Sequence, residues 1–230
     1  MPLPTFEIEP TEPQRGTVIW LHGLGASHHD FLPVVPELGV PFLRFVFPAA
    51  PVRRLTISRG MRMPAWYDIL SFEGGAPRED EAQLRESMRE LEQLMARERE
   101  RGVGHDRIVL AGFSQGGAMV LHLGLRCERR LGGVLVMSGY LPAAHALRSE
   151  ARPERRDTPI LFCHGRRDPV VPRAGGRMSH TLVREAGFTA EWAEFDVAHT
   201  LDLDEVRFIG AWLAQRFPAA SPLAPEASSA

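Results

Sequence analysis

This 230-residue chain contains neither lysine nor asparagine, and all 27 of its basic side chains are arginine. Both missing residues use AT-rich codons, so the composition favours a GC-rich bacterial genome and the arginines need not be substrate clamps. The formal net charge is −2, whereas a nucleic-acid-binding surface needs a clustered basic surplus. We therefore expect no nucleic-acid partner.

Cysteines and long apolar runs are also scarce. The only cysteines are Cys127 and Cys163, on a predicted helix and a predicted core strand, so we expect no disulfide framework. No apolar run reaches the roughly 18–20 residues that span a bilayer, and residues 1–10 are acidic and proline-rich, unlike a signal peptide. These features predict a cytoplasmic protein without integral membrane association.

Metal ligands are not arranged at a recognisable spacing. His28 and His29 are adjacent, and no paired histidine has a carboxylate at helical spacing. We therefore expect no metal and no cofactor.

Apolar strand-like runs alternate with helical patterns along the chain. The strands are predicted over 17–21, 42–47, 108–113, 134–138, 160–164 and 191–195. Such alternation is typical of an α/β fold with a mostly parallel central sheet and helices on both faces. We expect one domain over residues 1–217 and a disordered tail over 218–230, which is rich in Ala, Pro and Ser. Residues 48–76 are apolar but interrupted by Pro and Gly, which predicts a small lid-like loop segment near the site.

A serine flanked by glycines follows one of these predicted strands, in the pattern Gly112-Phe113-Ser114-Gln115-Gly116. In α/β-hydrolases this pattern forms a strained strand-to-helix turn that exposes the serine Oγ. Side chains at the flanking glycine positions would collide with the neighbouring strand and helix. Because this pattern also arises by chance, Ser114 is a candidate nucleophile only if suitable Asp and His residues accompany it.

Partners for Ser114 appear in the order that this fold requires, Ser then Asp then His. Asp168 follows the predicted strand over 160–164, and His199 lies in the loop after the last predicted strand. Open α/β sheets place their functional residues at this carboxyl edge. A glycine-rich turn, His22-Gly23-Leu24-Gly25, follows the first predicted strand and can present a backbone N–H beside that of Gln115, to stabilise an oxyanion.

With these motifs in place, the chain resembles the carboxylesterase/acyl-protein thioesterase family of α/β-hydrolases. The matching segments follow the family order through nearly the whole chain: 21–25, 63–69, 112–117, 138–142, 164–165 with 168–172, and 198–199. The resemblance implies that Ser114, Asp168 and His199 form the catalytic triad and that the N–H groups of Leu24 and Gln115 form the oxyanion hole.

The resemblance also implies substrate-binding residues and an assembly state. The implied acyl contacts are Met61, Leu70, Tyr140 and Val170, and a homodimer is expected. The chain departs from the family at Tyr140, where eukaryotic thioesterases carry tryptophan, and at Ala198 before the histidine. Both departures concern acyl preference more than the reaction.

The sequence thus predicts a serine esterase that cleaves carboxylic esters of short-to-medium acyl chains, thioesters included, through an acyl-enzyme. Four alternatives stay open: a long-chain acyl-protein thioesterase or lysophospholipase, a dienelactone-hydrolase-like enzyme, an acyltransferase that uses an alcohol acceptor, and a non-catalytic ligand-binding protein of the same fold. Ser114 counts against the second, since that group carries a cysteine at the elbow. The expected partner is a small-molecule ester or acyl substrate.

Overall fold

A computed structural model of the protein describes residues 3–73, 76–152 and 157–218. Its strands are β1 Thr5–Ile8, β2 Gly16–Leu21, β3 Leu43–Pro48, β4 Val52–Leu55, β5 Met61–Pro64, β6 Ile69–Glu73, β7 Ala76–Glu79, β8 Ile108–Phe113, β9 Gly133–Met137, β10 Ile160–Gly165 and β11 Ala190–Phe195. The predicted tail lies outside the described residues, apart from Pro218.

The described residues also form five α-helices: α1 Glu81–Glu100, α2 Gln115–Arg126, α3 Leu147–Glu150, α4 Arg173–Glu185 and α5 Leu203–Arg216. Short 3₁₀ helices span Leu32–Leu38, His105–Arg107 and Ala144–Ala146. None of the described helices is long and apolar enough to cross a membrane.

In the part of the chain that the structure describes, seven strands form the central sheet in the order β1-β3-β2-β8-β9-β10-β11. All neighbours pair in parallel except β1, which lies antiparallel to β3 at the edge. The six predicted strands are confirmed with boundary shifts of one residue. The sequence did not predict β1, because its four residues include the exposed Phe6 and a charged Glu7 and resemble an acidic, proline-flanked loop.

Helices cover both faces of this sheet, as predicted. In β2, Ile19 and Leu21 face the core beneath α1 and α2, whereas Val18 and Trp20 face the core beneath α5. All six residues of β2 are buried, as expected for a parallel strand with helices on both sides. The carboxyl ends of the parallel strands therefore share one edge.

The predicted lid-like segment over 48–76 forms two antiparallel hairpins, β4–β5 and β6–β7, instead of an irregular loop. Asp68, between the hairpins, accepts hydrogen bonds from the N–H and hydroxyl of Thr56 at 2.8 and 2.6 Å. Trp66 and Tyr67 beside it are fully buried. The strip Trp66-Tyr67-Asp68 thus anchors both hairpins to the body of the protein.

Candidate active site

Ser114 occupies the sharp turn between β8 and α2. Its backbone lies at φ 54° and ψ −119°, a strained conformation for a residue with a side chain. The Ser114 N–H donates to the carbonyl of Met137 at 2.9 Å, and the hydroxyl does not cap α2. The turn therefore has the backbone conformation expected of a nucleophile elbow.

Glycines on either side make this turn sterically possible. A Cβ on Gly112 would lie 2.3 Å from the carbonyl carbon of Gly116, and one on Gly116 would lie 2.5 Å from the carbonyl oxygen of Leu21. Gly117 is nearly as confined, with a Cβ position 2.9 Å from the Gly112 oxygen. The collisions predicted from the motif are thus found between strand and helix backbones.

Asp168 and His199 meet at the carboxyl edge of the sheet, where they follow β10 and β11. His199 Nδ1 lies 2.7 Å from Asp168 Oδ2, and the N–H groups of Val170 and Val171 both donate to Oδ1 at 2.9 Å. Burial alone would raise the Asp168 pKa, but these hydrogen bonds outweigh it and lower the pKa below the ordinary value. Asp168 is therefore a carboxylate, and His199 Nδ1 carries the shared proton.

The His199 ring lies beside the elbow. Its centroid is 4.7 Å from that of Phe113, the residue before Ser114. With Nδ1 as the donor to Asp168, the neutral form of the ring has a lone pair on the opposite nitrogen, Nε2. The hydrogen bonds of the described residues do not include one between Ser114 Oγ and this ring, and such bonds commonly tighten only when substrate is bound.

The two predicted oxyanion donors lie on well-anchored elements. Gln115 begins α2, so its N–H is among those that have no partner within the helix. Its side chain is also engaged: Oε1 accepts from the Trp66 N–H at 2.9 Å and Nε2 donates to the Tyr67 carbonyl at 2.7 Å. Within the described residues, the Leu24 N–H makes no backbone hydrogen bond. Both donors are free to bind a developing negative charge.

His22 fixes the turn that carries Leu24. Its Nε2 accepts from the Ala50 N–H at 3.1 Å, so Nδ1 carries the proton and donates to the Gly23 carbonyl at 2.8 Å. Burial lowers its pKa and keeps the ring neutral. The Trp66 indole N–H donates to the His22 carbonyl at 2.9 Å, which joins this turn to the strip held by Gln115.

The predicted acyl contacts divide into two groups. Leu70 and Tyr140 line a cavity of about 830 Å³ whose walls also include Met178 and Leu182. Met61 and Val170 are 63% and 62% exposed and do not line this cavity. The structure thus brings two of the four together.

Tyr140 gives the cavity a polar wall. Its hydroxyl lies 2.8 Å from that of Tyr67, and it is also hydrogen-bonded to Glu79. Burial and the Glu79 carboxylate raise the Tyr140 pKa, and burial likewise raises that of Tyr67. Both phenols are therefore neutral hydrogen-bonding groups.

Metal ligands do not cluster at the site or elsewhere in residues 3–73, 76–152 and 157–218, where no group of three His, Cys, Asp or Glu side chains could hold an ion. Cys127 and Cys163 are not joined in a disulfide.

Comparison with known proteins decides the family. The sequence profile of the phospholipase/carboxylesterase family matches residues 5–216. The chain belongs to this family. It is 33% identical over 219 residues to an acyl-protein thioesterase 1 of Yarrowia lipolytica, which covers 92% of this chain and 96% of the relative. It is 30% identical over 213 residues to the carboxylesterase SOBER1 of Arabidopsis thaliana, with 90% and 93% covered.

Solved structures agree with this assignment. The crystal structure of Arabidopsis thaliana SOBER1 superposes with a TM-score of 0.83 at 30% identity and covers 89% of this chain and 100% of that one. The predicted α/β-hydrolase fold and the predicted ester hydrolase are confirmed by membership of the phospholipase/carboxylesterase family. These relatives come from a yeast and a plant, and the bacterial origin stays a prediction.

The sequence does not predict the particular contacts of three supporting side chains, His22, Gln115 and His164. The available signal was the same at His22 and His164, a histidine before a glycine at a strand end. That pattern does not reveal which backbone groups each ring will meet.

Proposed function

We propose that Ser114, His199 and Asp168 form a catalytic triad that hydrolyses carboxylic esters through an acyl-enzyme. His199 Nε2 takes the Ser114 hydroxyl proton while Oγ attacks the ester carbonyl carbon. The resulting oxyanion accepts hydrogen bonds from the N–H groups of Leu24 and Gln115. His199 then returns the proton to the leaving alcohol, and water, activated by the same imidazole, releases the acid.

The observation that carries this proposal is the 2.7 Å contact between His199 Nδ1 and Asp168 Oδ2. It fixes the tautomer whose free Nε2 can act as a base, and the ionised Asp168 stabilises the imidazolium that forms. The contact of the His199 ring with Phe113 and the strained backbone of Ser114 support Ser114 as the third member of the triad. A non-catalytic ligand-binding protein would have no need of this arrangement.

We propose esters of short-to-medium acyl chains as the substrate class. The cavity of about 830 Å³ beside Leu70 has room for an acyl chain, and charged side chains such as Glu79 and Glu81 interrupt its apolar walls. Ser114, Asp168 and His199 do not line this cavity, so the proposal requires the acyl chain to extend into it from the elbow. The second candidate is hydrolysis of long-chain acyl thioesters or lysophospholipids. The relatives named acyl-protein thioesterase favour it.

The test is the initial rate of hydrolysis of p-nitrophenyl esters from acetyl to palmitoyl, beside an acyl thioester, with Ser114→Ala as the blank. The proposal expects Ser114-dependent turnover with an optimum at short-to-medium chains. An optimum at palmitoyl or on the thioester supports the second candidate. No turnover by a folded sample contradicts both and favours a binding protein, and an alcohol acceptor that diverts the acyl group into a new ester identifies an acyltransferase.

Three further predictions belong with this proposal. We propose a single catalytic domain over residues 1–217, a cytoplasmic location and a homodimer. Light scattering coupled to gel filtration tests the last, and a monomeric mass would reject it.

A further inference from the structure

His164 is a buried histidine outside the proposed triad that lies beside one triad member. It is located one residue before the end of β10, with its side chain 1% exposed. Its Nε2 lies 2.9 Å from the carbonyl oxygen of Val171 and 3.7 Å from Asp168 Oδ2. A carbonyl oxygen only accepts, so Nε2 carries the ring proton and donates it to Val171.

Val171 is thereby hydrogen-bonded through both its N–H and its carbonyl group. Its N–H donates to Asp168 Oδ1 at 2.9 Å, and its carbonyl accepts from His164. The ring thus fixes a residue that itself holds one oxygen of the Asp168 carboxylate. The other oxygen is left to bind His199.

The position of the His164 ring is closely confined. It stacks on Trp192 with centroids 5.6 Å apart and ring planes 13° apart. On the α4 side, a Cβ built on Gly176 would lie 2.6 Å from His164 Nδ1. Burial lowers the pKa of His164, so the ring stays neutral and places no competing positive charge beside Asp168.

We propose that His164 is a positioning residue for Asp168. Through its Nε2–H it holds the turn from Asp168 to Val171 and so directs the carboxylate at His199. The inference rests on the proposed triad, because it assigns His164 a part in keeping that triad aligned.

The expected effect follows from the geometry. Without the Nε2–H donor, the Val171 carbonyl loses its partner and the turn can shift, and misplacement of a catalytic group by about 1 Å can cost roughly 100-fold in rate. We expect His164→Phe, which keeps an aromatic ring but no donor, to lower kcat by about 10- to 100-fold. KM should change less than about twofold, because the ring acts through Asp168 and not on substrate.

The matched control is His180→Phe. His180 is also buried, its Nε2 lies 3.1 Å from the Ala190 carbonyl, and its ring packs edge-on against the same Trp192. It donates to a carbonyl without contact to Asp168, so its replacement should leave kcat within about twofold of wild type. His164→Gln, whose amide N–H can replace the Nε2–H donor, should restore much of the kcat lost in His164→Phe.

The measurement is kcat and KM on p-nitrophenyl acetate, with melting temperatures for every variant. An inactive wild type would contradict the proposed function and not this inference alone. With an active wild type, the inference is overturned if His164→Phe keeps its kcat, if His180→Phe loses as much, or if His164→Gln is as slow as His164→Phe.

A second pair of variants keeps the inference testable if His164→Phe does not fold. Gly176→Ala would press on the ring, whereas a Cβ on the adjacent Gly175 would meet nothing within 4 Å. Both changes favour the helix equally, so a lower kcat in Gly176→Ala than in Gly175→Ala reports displacement of His164. Equal kcat values in the two would overturn the inference.

Discussion

Asp168 receives hydrogen bonds on both carboxylate oxygens, and the two oxygens face different partners. Oδ2 accepts from His199 Nδ1 at 2.7 Å, while Oδ1 accepts from two backbone N–H groups of its own turn. The second set holds the carboxylate rigidly for the first. The arrangement supports a general base that is oriented before substrate arrives.

Replacing Asp168 with Asn should lower kcat by about 10³- to 10⁴-fold, because an amide no longer fixes the productive tautomer of the imidazole. Asp196→Asn is the control, since Asp196 is exposed and pairs with Arg167 at the surface. Steady-state kinetics on an activated ester compare the two. Similar rates for both variants would remove Asp168 from the triad.

Gly112→Ala should destabilise the protein, because the added Cβ would lie 2.3 Å from the backbone of Gly116. Crowding of this kind typically costs about 1–3 kcal/mol and more where backbone is involved. Urea unfolding measures the loss, with Gly175→Ala as the control in open space. An unchanged unfolding midpoint would show that the strand and helix can separate at the elbow.

The Gln115 side chain offers a separate test, because it can be altered while its backbone N–H remains. Gln115→Glu replaces the amide donor that meets the Tyr67 carbonyl with an acceptor oxygen. An unsatisfied buried group costs about 1–3 kcal/mol, so thermal stability should fall. Gln93→Glu is the control, since Gln93 is exposed on α1. An unchanged melting temperature would show that the Gln115 amide does not stabilise the strip Trp66-Tyr67-Asp68.

Glu205 should make the stability of the protein depend on pH. It is 1% exposed on α5, and burial, with a smaller effect of Asp202, raises its pKa from 4.5 to about 8. Its protonated form is favoured on folding, so the contribution to stability is complete below pH 4.5 and is lost as pH rises towards 8. Glu205→Gln should match wild type near pH 4.

At pH 8 the same variant should be more stable by about 3–5 kcal/mol, since one pKa unit corresponds to 1.36 kcal/mol. Urea unfolding of both proteins between pH 4 and 8 measures the difference. A difference that is constant across this range would contradict the account of a buried, protonated carboxyl.

The elbow and the meeting of Asp168 with His199 at one sheet edge could be predicted from sequence because their signals are local. Gly112 and Gly116 reveal a close approach of strand and helix, and Asp168 and His199 each follow a predicted strand. Parallel strands bring such positions to one edge. These residues therefore needed no knowledge of distant contacts.

The supporting contacts could not be predicted in the same way. The roles of Gln115 and His164 depend on partners far along the chain, Trp66 and Trp192 among them. The hairpins over 48–76 were also missed, because Pro and Gly mask short strands and the Asp68–Thr56 bonds that join them have no sequence signature. Packing decided these features, and single-sequence patterns do not report packing.

The most direct test of the account is to locate the covalent adduct. The folded protein is treated with a fluorophosphonate, or mixed briefly with p-nitrophenyl acetate, and its peptides are analysed by mass spectrometry. The account predicts one added phosphonyl or acyl group on Ser114, absent from Ser114→Ala. An adduct on another residue, or ester turnover that survives in Ser114→Ala, would contradict it.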